Sequence, residues 1–138
     1  MSNPVKSIVA GLAGIATAVV PTIATDALLH TIGVFPPPGQ PVGDGPFVLA
    51  TIYRVIYGIV GAYVTARLAP NRPMAHCLVL GALGTLITIA GTIATWNKGP
   101  AFGPHWYPLA LVVLSVPQSW AGARIWLTQS RLDAPLSV

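Results

Sequence analysis

Four long apolar blocks follow one another along this chain, and the polar positions within them are few and regularly spaced. Each block approaches the roughly 20 apolar residues that carry a helix across the hydrocarbon core of a bilayer. The pattern predicts helices over about 7–32, 47–69, 74–96 and 105–127. Within the first block, Gly11, Gly14, Ala18, Pro21/Thr22, Thr25/Asp26 and Leu29 recur at helical spacing. This is the small or polar stripe with which a membrane helix meets its neighbours. The second block places Arg54, Tyr57/Gly58 and Gly61 on one face. The third carries no charge and shows Gly81, Gly84/Thr85, Thr88, Gly91/Thr92 and Thr95, whose hydroxyls are expected to bond back to their own helix carbonyls. The fourth presents Pro108, Leu111, Ser115, Gln118 and Gly122, with kinks expected at Pro108 and Pro117.

The connections are read from their turn chemistry. Residues 33–46 are nearly all turn and polyproline chemistry, so neither helix nor strand is expected there. A plain connector is preferred over a lid folded across the mouth of the bundle. The short turn Pro70-Asn-Arg72-Pro73 predicts that the second and third helices are antiparallel neighbours. Residues 128–138 are too short and too weakly apolar to predict a further element. Lys6, the apolar run from Ile8 to Val20 and the break at Pro21 imitate a signal peptide. Asp26, Leu28, Leu29 and His30 continue the helical face beyond the supposed cut, so the helix is expected to be retained.

Composition supports the membrane reading. Of 138 residues, 54% are hydrophobic and only 7% charged, far from the roughly 25% charged content of soluble domains. The expected fold is therefore an all-α membrane protein, a single domain over 1–138, built as an antiparallel bundle of four transmembrane helices. A faint repeat suggests two duplicated hairpins: Thr22-Ile-Ala-Thr25 recurs as Thr92-Ile-Ala-Thr95, with Gly14 aligned to Gly84. The net charge of +4 is scattered singly at helix ends, which argues against a nucleic-acid patch. Lys6, Arg67, Arg72, Arg124 and Arg131 fall on one side and Lys98 on the other, so both termini are expected in the cytoplasm. Trp96, Trp106 and Tyr107 then belong to the outer aromatic belt, and Trp120 and Trp126 to the inner one, with no binding role required. The bilayer is the expected partner, with self-association through the Gly/Thr stripes.

Candidate chemistry lies in the outer half. At about 1.5 Å per residue, Asp26 lies roughly 9 Å in from the outer end of the first helix and Arg54 roughly 10 Å in from the start of the second. Each would cost about 2.5–3.5 kcal/mol unpaired at the bilayer centre, so the two are expected to pair inside the bundle. His30 shares the face of Asp26, and His105, Tyr57 and Gln118 are candidates to join it as a relay or polar path. The site expected is thus Asp26, His30, Arg54, Tyr57, His105 and Gln118, binding or transporting a proton, ion or small solute, with Asp26 titrating and Arg54 tuning it. The alternative is a non-transporting accessory or scaffold subunit whose Asp26–Arg54 pair only fixes helix register. Cys77, the single cysteine, excludes an internal disulfide and is read as apolar filler. No catalytic constellation, metal-ligand spacing or cofactor motif is present, so no enzyme, metal or cofactor is expected.

Taken together, Thr25-Asp26-x-x-Leu29-His30-x-x-Gly33-Val-Phe-Pro-Pro37, Tyr53-Arg54-x-x-Tyr57-Gly58, Thr65-Ala-Arg-Leu-Ala-Pro70-x-Arg72-Pro-Met74-x-His76 and Gly103-Pro-x-Trp106-Tyr-Pro-Leu109 resemble a family of small uncharacterised bacterial integral membrane proteins. The resemblance covers most of the chain, implies a bacterial-type inner membrane and brings no activity with it. Small multidrug exporters, fluoride channels and quinone-linked thiol oxidases fit poorly, for want of the loop lengths, Asn and Phe motifs or cysteine pairs they need.

Overall fold

Helices make up most of residues 3–135, which the computed structural model describes. They are α1 Asn3–Thr31, α2 Asp44–Leu68, α3 Pro73–Thr95 and α4 Trp106–Leu132, with one 3₁₀ turn at Pro100–Phe102. No strand occurs among the described residues. Three of the helices, α1, α2 and α3, are long and apolar enough to cross a membrane. α4 is as long, but Ser115, Pro117, Gln118, Ser119 and Arg124 interrupt its apolar run.

The helix ends fall close to expectation except at the C-terminal side. α4 continues to Leu132, although residues beyond Leu127 predicted no further element; residues 136–138 of that tail lie outside the described segment. The reason lies in hydrogen bonds that hydropathy does not report. Tyr63 of α2 donates its hydroxyl to Gln129 Oε1 at 2.6 Å, and the Asp133 N–H closes on the Gln129 carbonyl at 3.0 Å. A fall in hydropathy marks the edge of an apolar run, whereas a helix ends only where its backbone bonds stop.

Two hairpins, α1–α2 and α3–α4, meet through their second helices, so that α2 and α4 form the central pair. α2 and α3 follow one another in sequence but share only a small contact, which corrects the expectation that they are close neighbours. α3 is drawn to α4 instead because Gly81 admits that helix: a Cβ at Gly81 would lie 2.9 Å from Ser119 Oγ and 3.3 Å from the Ser115 carbonyl. Where α3 does touch α2, the buried Cys77 thiol donates to the Ala62 carbonyl at 3.1 Å. The glycines aligned by the faint repeat occupy unlike places. Gly14 is pressed against Thr65 and Gly61 of α2, while Gly84 reaches only Ser115 Oγ at 4.0 Å.

Two core clusters of opposite character set the shape of the interior. Near the termini, Ala62, Ala66, Cys77 and Ala123 pack with Met74 and Trp126. Small residues there let the helix backbones approach closely. At the opposite end, under the two long loops, Phe35, Ala50 and Tyr53 pack with Leu29, Val42, Tyr57 and Tyr107. Bulky rings fill this end, and a cavity opens among them.

Candidate functional site

The loop end of the bundle gathers the charged residues from their helices. Asp26 lies about one turn from the end of α1, and Arg54 lies inside α2 on the face turned to α1. Arg54 Nη2 donates to Asp26 Oδ2 at 2.6 Å. The pairing expected from depth and charge is therefore present. The other carboxylate oxygen is occupied as well, because Tyr53 donates its hydroxyl to Asp26 Oδ1. Both oxygens of the one acidic side chain are thus held by α2, while the backbone carbonyl of Asp26 accepts from His30 Nδ1 at 2.8 Å. A carbonyl can only accept, so Nδ1 carries a proton in this contact.

Arg54 is less completely satisfied than its partner. The Asp26 bond is its only hydrogen bond among the described residues, its Nε is buried without a partner, and its side chain is 33% exposed. One face of the guanidinium is covered by Tyr107 of α4, whose ring centroid lies 5.8 Å from the guanidinium carbon. Arginine commonly lies over an aromatic face in this way, since the electron-rich ring attracts the cation.

Above this polar floor is a cavity of about 250 Å³. Its walls come from both loops: Phe35 and Val42 from the α1–α2 connection, and Ala101 and Phe102 from the α3–α4 connection. Phe47 and Ala50 of α2 complete the apolar lining. The first loop is therefore more than a connector. Its Phe35 is buried, packs against Leu29 and the α2 aromatics, and lies with its ring centroid 5.2 Å from that of His30. The second loop is held down by Gly103, whose φ of +89° favours glycine and whose missing Cβ leaves the place taken by the Phe47 ring. Phe47 in turn packs on Tyr107 at a centroid distance of 4.6 Å. A further tie at the rim is the Trp106 indole N–H, which donates to Asp44 Oδ1 at 2.9 Å.

Of the six residues expected to form the site, Asp26, His30 and Arg54 line this one cavity. Tyr57 lies deeper, and its hydroxyl bonds Thr25 Oγ1 at 2.9 Å. It braces α1 against α2 below the pair and does not line the cavity. His105 is not brought to Asp26. It stacks on Trp96 at 3.9 Å and donates Nε2–H to the Trp96 carbonyl at 2.9 Å, so it caps α3 and the relay through it is withdrawn. Gln118 packs its amide against Gly58, where a Cβ would come within 2.6 Å of it. It fills the α2–α4 seam and extends no path from Arg54. The α3 hydroxyls form no path either: Thr85, Thr88, Thr92 and Thr95 each bond the carbonyl four residues back, at 2.7–2.9 Å.

The residues missed are Tyr53, Tyr107 and the loop aromatics. Tyr107 was assignable to an interfacial belt by position alone, and only the packing of α4 on α2 turns it over Arg54. Two other features fall outside the polar site. A larger groove of about 510 Å³, lined almost wholly by apolar side chains, separates α1 from α3. At its rim His76 Nε2 lies 2.9 Å from Ser7 Oγ, tying the two helices near the terminal end. Comparison with protein-family models, with curated proteins and with solved structures finds no match, so what the site does must be argued from its own geometry.

Proposed function

We propose that this chain is a four-pass membrane protein of bacterial inner-membrane type, with both termini in the cytoplasm, whose outward-facing cavity binds a small solute or ion for capture or transport. What carries the reading is the Asp26–Arg54 pair at the floor of an open cavity, with guanidinium donors unused. A pair serving only to lock two helices has its donors satisfied and the space around it filled, because an unmet buried donor costs about 1–3 kcal/mol. The four-pass arrangement is supported by α4, which packs against both α2 and α3 and must share their depth. Self-association would use the part of the Gly/Thr stripes that the fold leaves free. Gly14, Gly61, Gly81 and Gly122 are spent on contacts inside the chain, and Gly91 faces open space.

A second reading has its own observation. Tyr53 and Arg54 together hold both oxygens of Asp26, a strong cross-link between α1 and α2 that suits a scaffold or accessory subunit. Asp26→Asn separates the two. Asparagine keeps an acceptor for Arg54 but removes the charge. Under the binding reading the purified variant keeps its helix content and size in detergent while its solute-dependent thermal protection or uptake changes from that of the wild type. If the variant unfolds or disassembles and no solute protects the wild type, the scaffold reading replaces it.

A further inference from the structure

We infer that the cavity takes a small monocarboxylate with an apolar body, an inference that rests on the binding reading above and gives it a ligand class. The charge of Asp26 is already met, since one oxygen accepts from the Arg54 guanidinium and the other from the Tyr53 hydroxyl. A cationic ligand would bring a second positive charge against the guanidinium that already neutralises this carboxylate. Arg54, in contrast, uses one of its five N–H donors, and its Nη1 is unpaired on the side chain that lines the cavity. Arg54 therefore brings unpaired donors to the floor, and what completes them is an acceptor. A guanidinium offers two parallel N–H groups in one plane, which fits a carboxylate.

Charge limits the ligand further. The Asp26–Arg54 pair is already neutral, so one negative charge can be shared with the guanidinium but a second would sit unpaired against apolar walls. That disfavours phosphate and dicarboxylates. A bare halide would satisfy the donor and leave the rest of the space empty. The walls, Phe35, Val42, Phe47 and Phe102, favour a hydrocarbon body in contact with them. At about 250 Å³ the cavity is smaller than the roughly 300–1,000 Å³ of drug-sized sites. That volume holds a short acid within walls that both loops supply, and not the length of a long acyl chain.

Benzoate, benzamide, benzylamine and palmitate discriminate the possibilities. They are titrated against the purified full chain in lipid nanodiscs, with binding read by calorimetry and thermal shift. Benzoate is expected to bind and raise the melting temperature, with benzamide and benzylamine at least tenfold weaker. Arg54→Lys, which keeps the charge but loses the planar fork, is expected to weaken benzoate at least tenfold. Phe102→Ala is expected to weaken it several-fold with the ion pair untouched, and it serves alone if the Arg54 variant does not fold. Equal or tighter binding of benzylamine or benzamide would overturn the carboxylate assignment and leave the binding reading standing. Palmitate binding in preference to benzoate would overturn the size assignment. If none of the four protects the wild type, the carboxylate inference fails; the binding reading falls only if Asp26→Asn also unfolds.

Discussion

Tyr53 and Tyr57 lie one helical turn apart on α2, and they do different things because α1 reaches them at different heights. Tyr53 meets the Asp26 carboxylate, whereas Tyr57 meets only the Thr25 hydroxyl. Reasoning from Arg54 along its own helix face finds Tyr57, because residues four or three apart are neighbours on one helix. It cannot find Tyr53, which shares a partner with Arg54 on another helix and no face with it. Tyr53→Phe removes one donor from a charged acceptor and is expected to cost about 1.5 kcal/mol or somewhat more. Equilibrium unfolding in detergent against Tyr57→Phe, which breaks a neutral bond and costs about 1 kcal/mol or less, measures the difference. A ranking in the opposite order would show that the carboxylate does not depend on Tyr53.

At the scale of elements, glycines that look alike in sequence divide by what faces them. A Cβ at Gly122 would lie 2.6 Å from Ala62 Cβ and 2.8 Å from the Tyr63 nitrogen, whereas one at Gly84 meets only Ser115 Oγ at 4.0 Å. Gly122→Ala is therefore expected to lose about 1–3 kcal/mol by forcing the central α2–α4 seam apart. Gly84→Ala is expected to be neutral or to gain up to about 1 kcal/mol from the better helix former. Thermal melting of the two variants in the same detergent shows a fall for Gly122→Ala and none for Gly84→Ala if the seam is as drawn. The loops follow the same rule. Gly103→Ala puts a side chain onto the Phe47 ring at a left-handed backbone position. It is expected to open the cavity wall at a cost of about 1–3 kcal/mol and to raise proteolysis within residues 96–105, which limited digestion reads directly.

For the whole molecule, the test is which side each end faces. The basic residues predict that Lys98→Cys is labelled by an impermeant maleimide only from outside the cell, and Arg72→Cys only from inside. Native Cys77 has 0% exposure, so it adds no background and need not be removed. Labelling of both positions from one side would break the up-and-down course of the four helices. Topology of this kind is written in composition, because apolar length and the placement of Lys and Arg act through the bilayer whatever the helices touch. The order α1–α2–α4–α3 is not so written. It depends on which small residues let which backbones approach, and Gly81 drawing α3 to Ser115 and Ser119 decided it against the shortness of the α2–α3 turn.

The chain by itself determined the helices, the cost of leaving Asp26 and Arg54 apart, and the end of the bundle at which they meet. Those follow from local periodicity and from the solvation of charge, which need no knowledge of neighbours. Only the tertiary structure decided that Tyr53 takes the second carboxylate oxygen, that Tyr107 covers the guanidinium, that His105 turns away to Trp96 and that two loops close over a cavity. All but the His105–Trp96 contact join segments far apart in sequence, fixed by how tightly small residues seat at the terminal end and how the aromatic rings pack at the other.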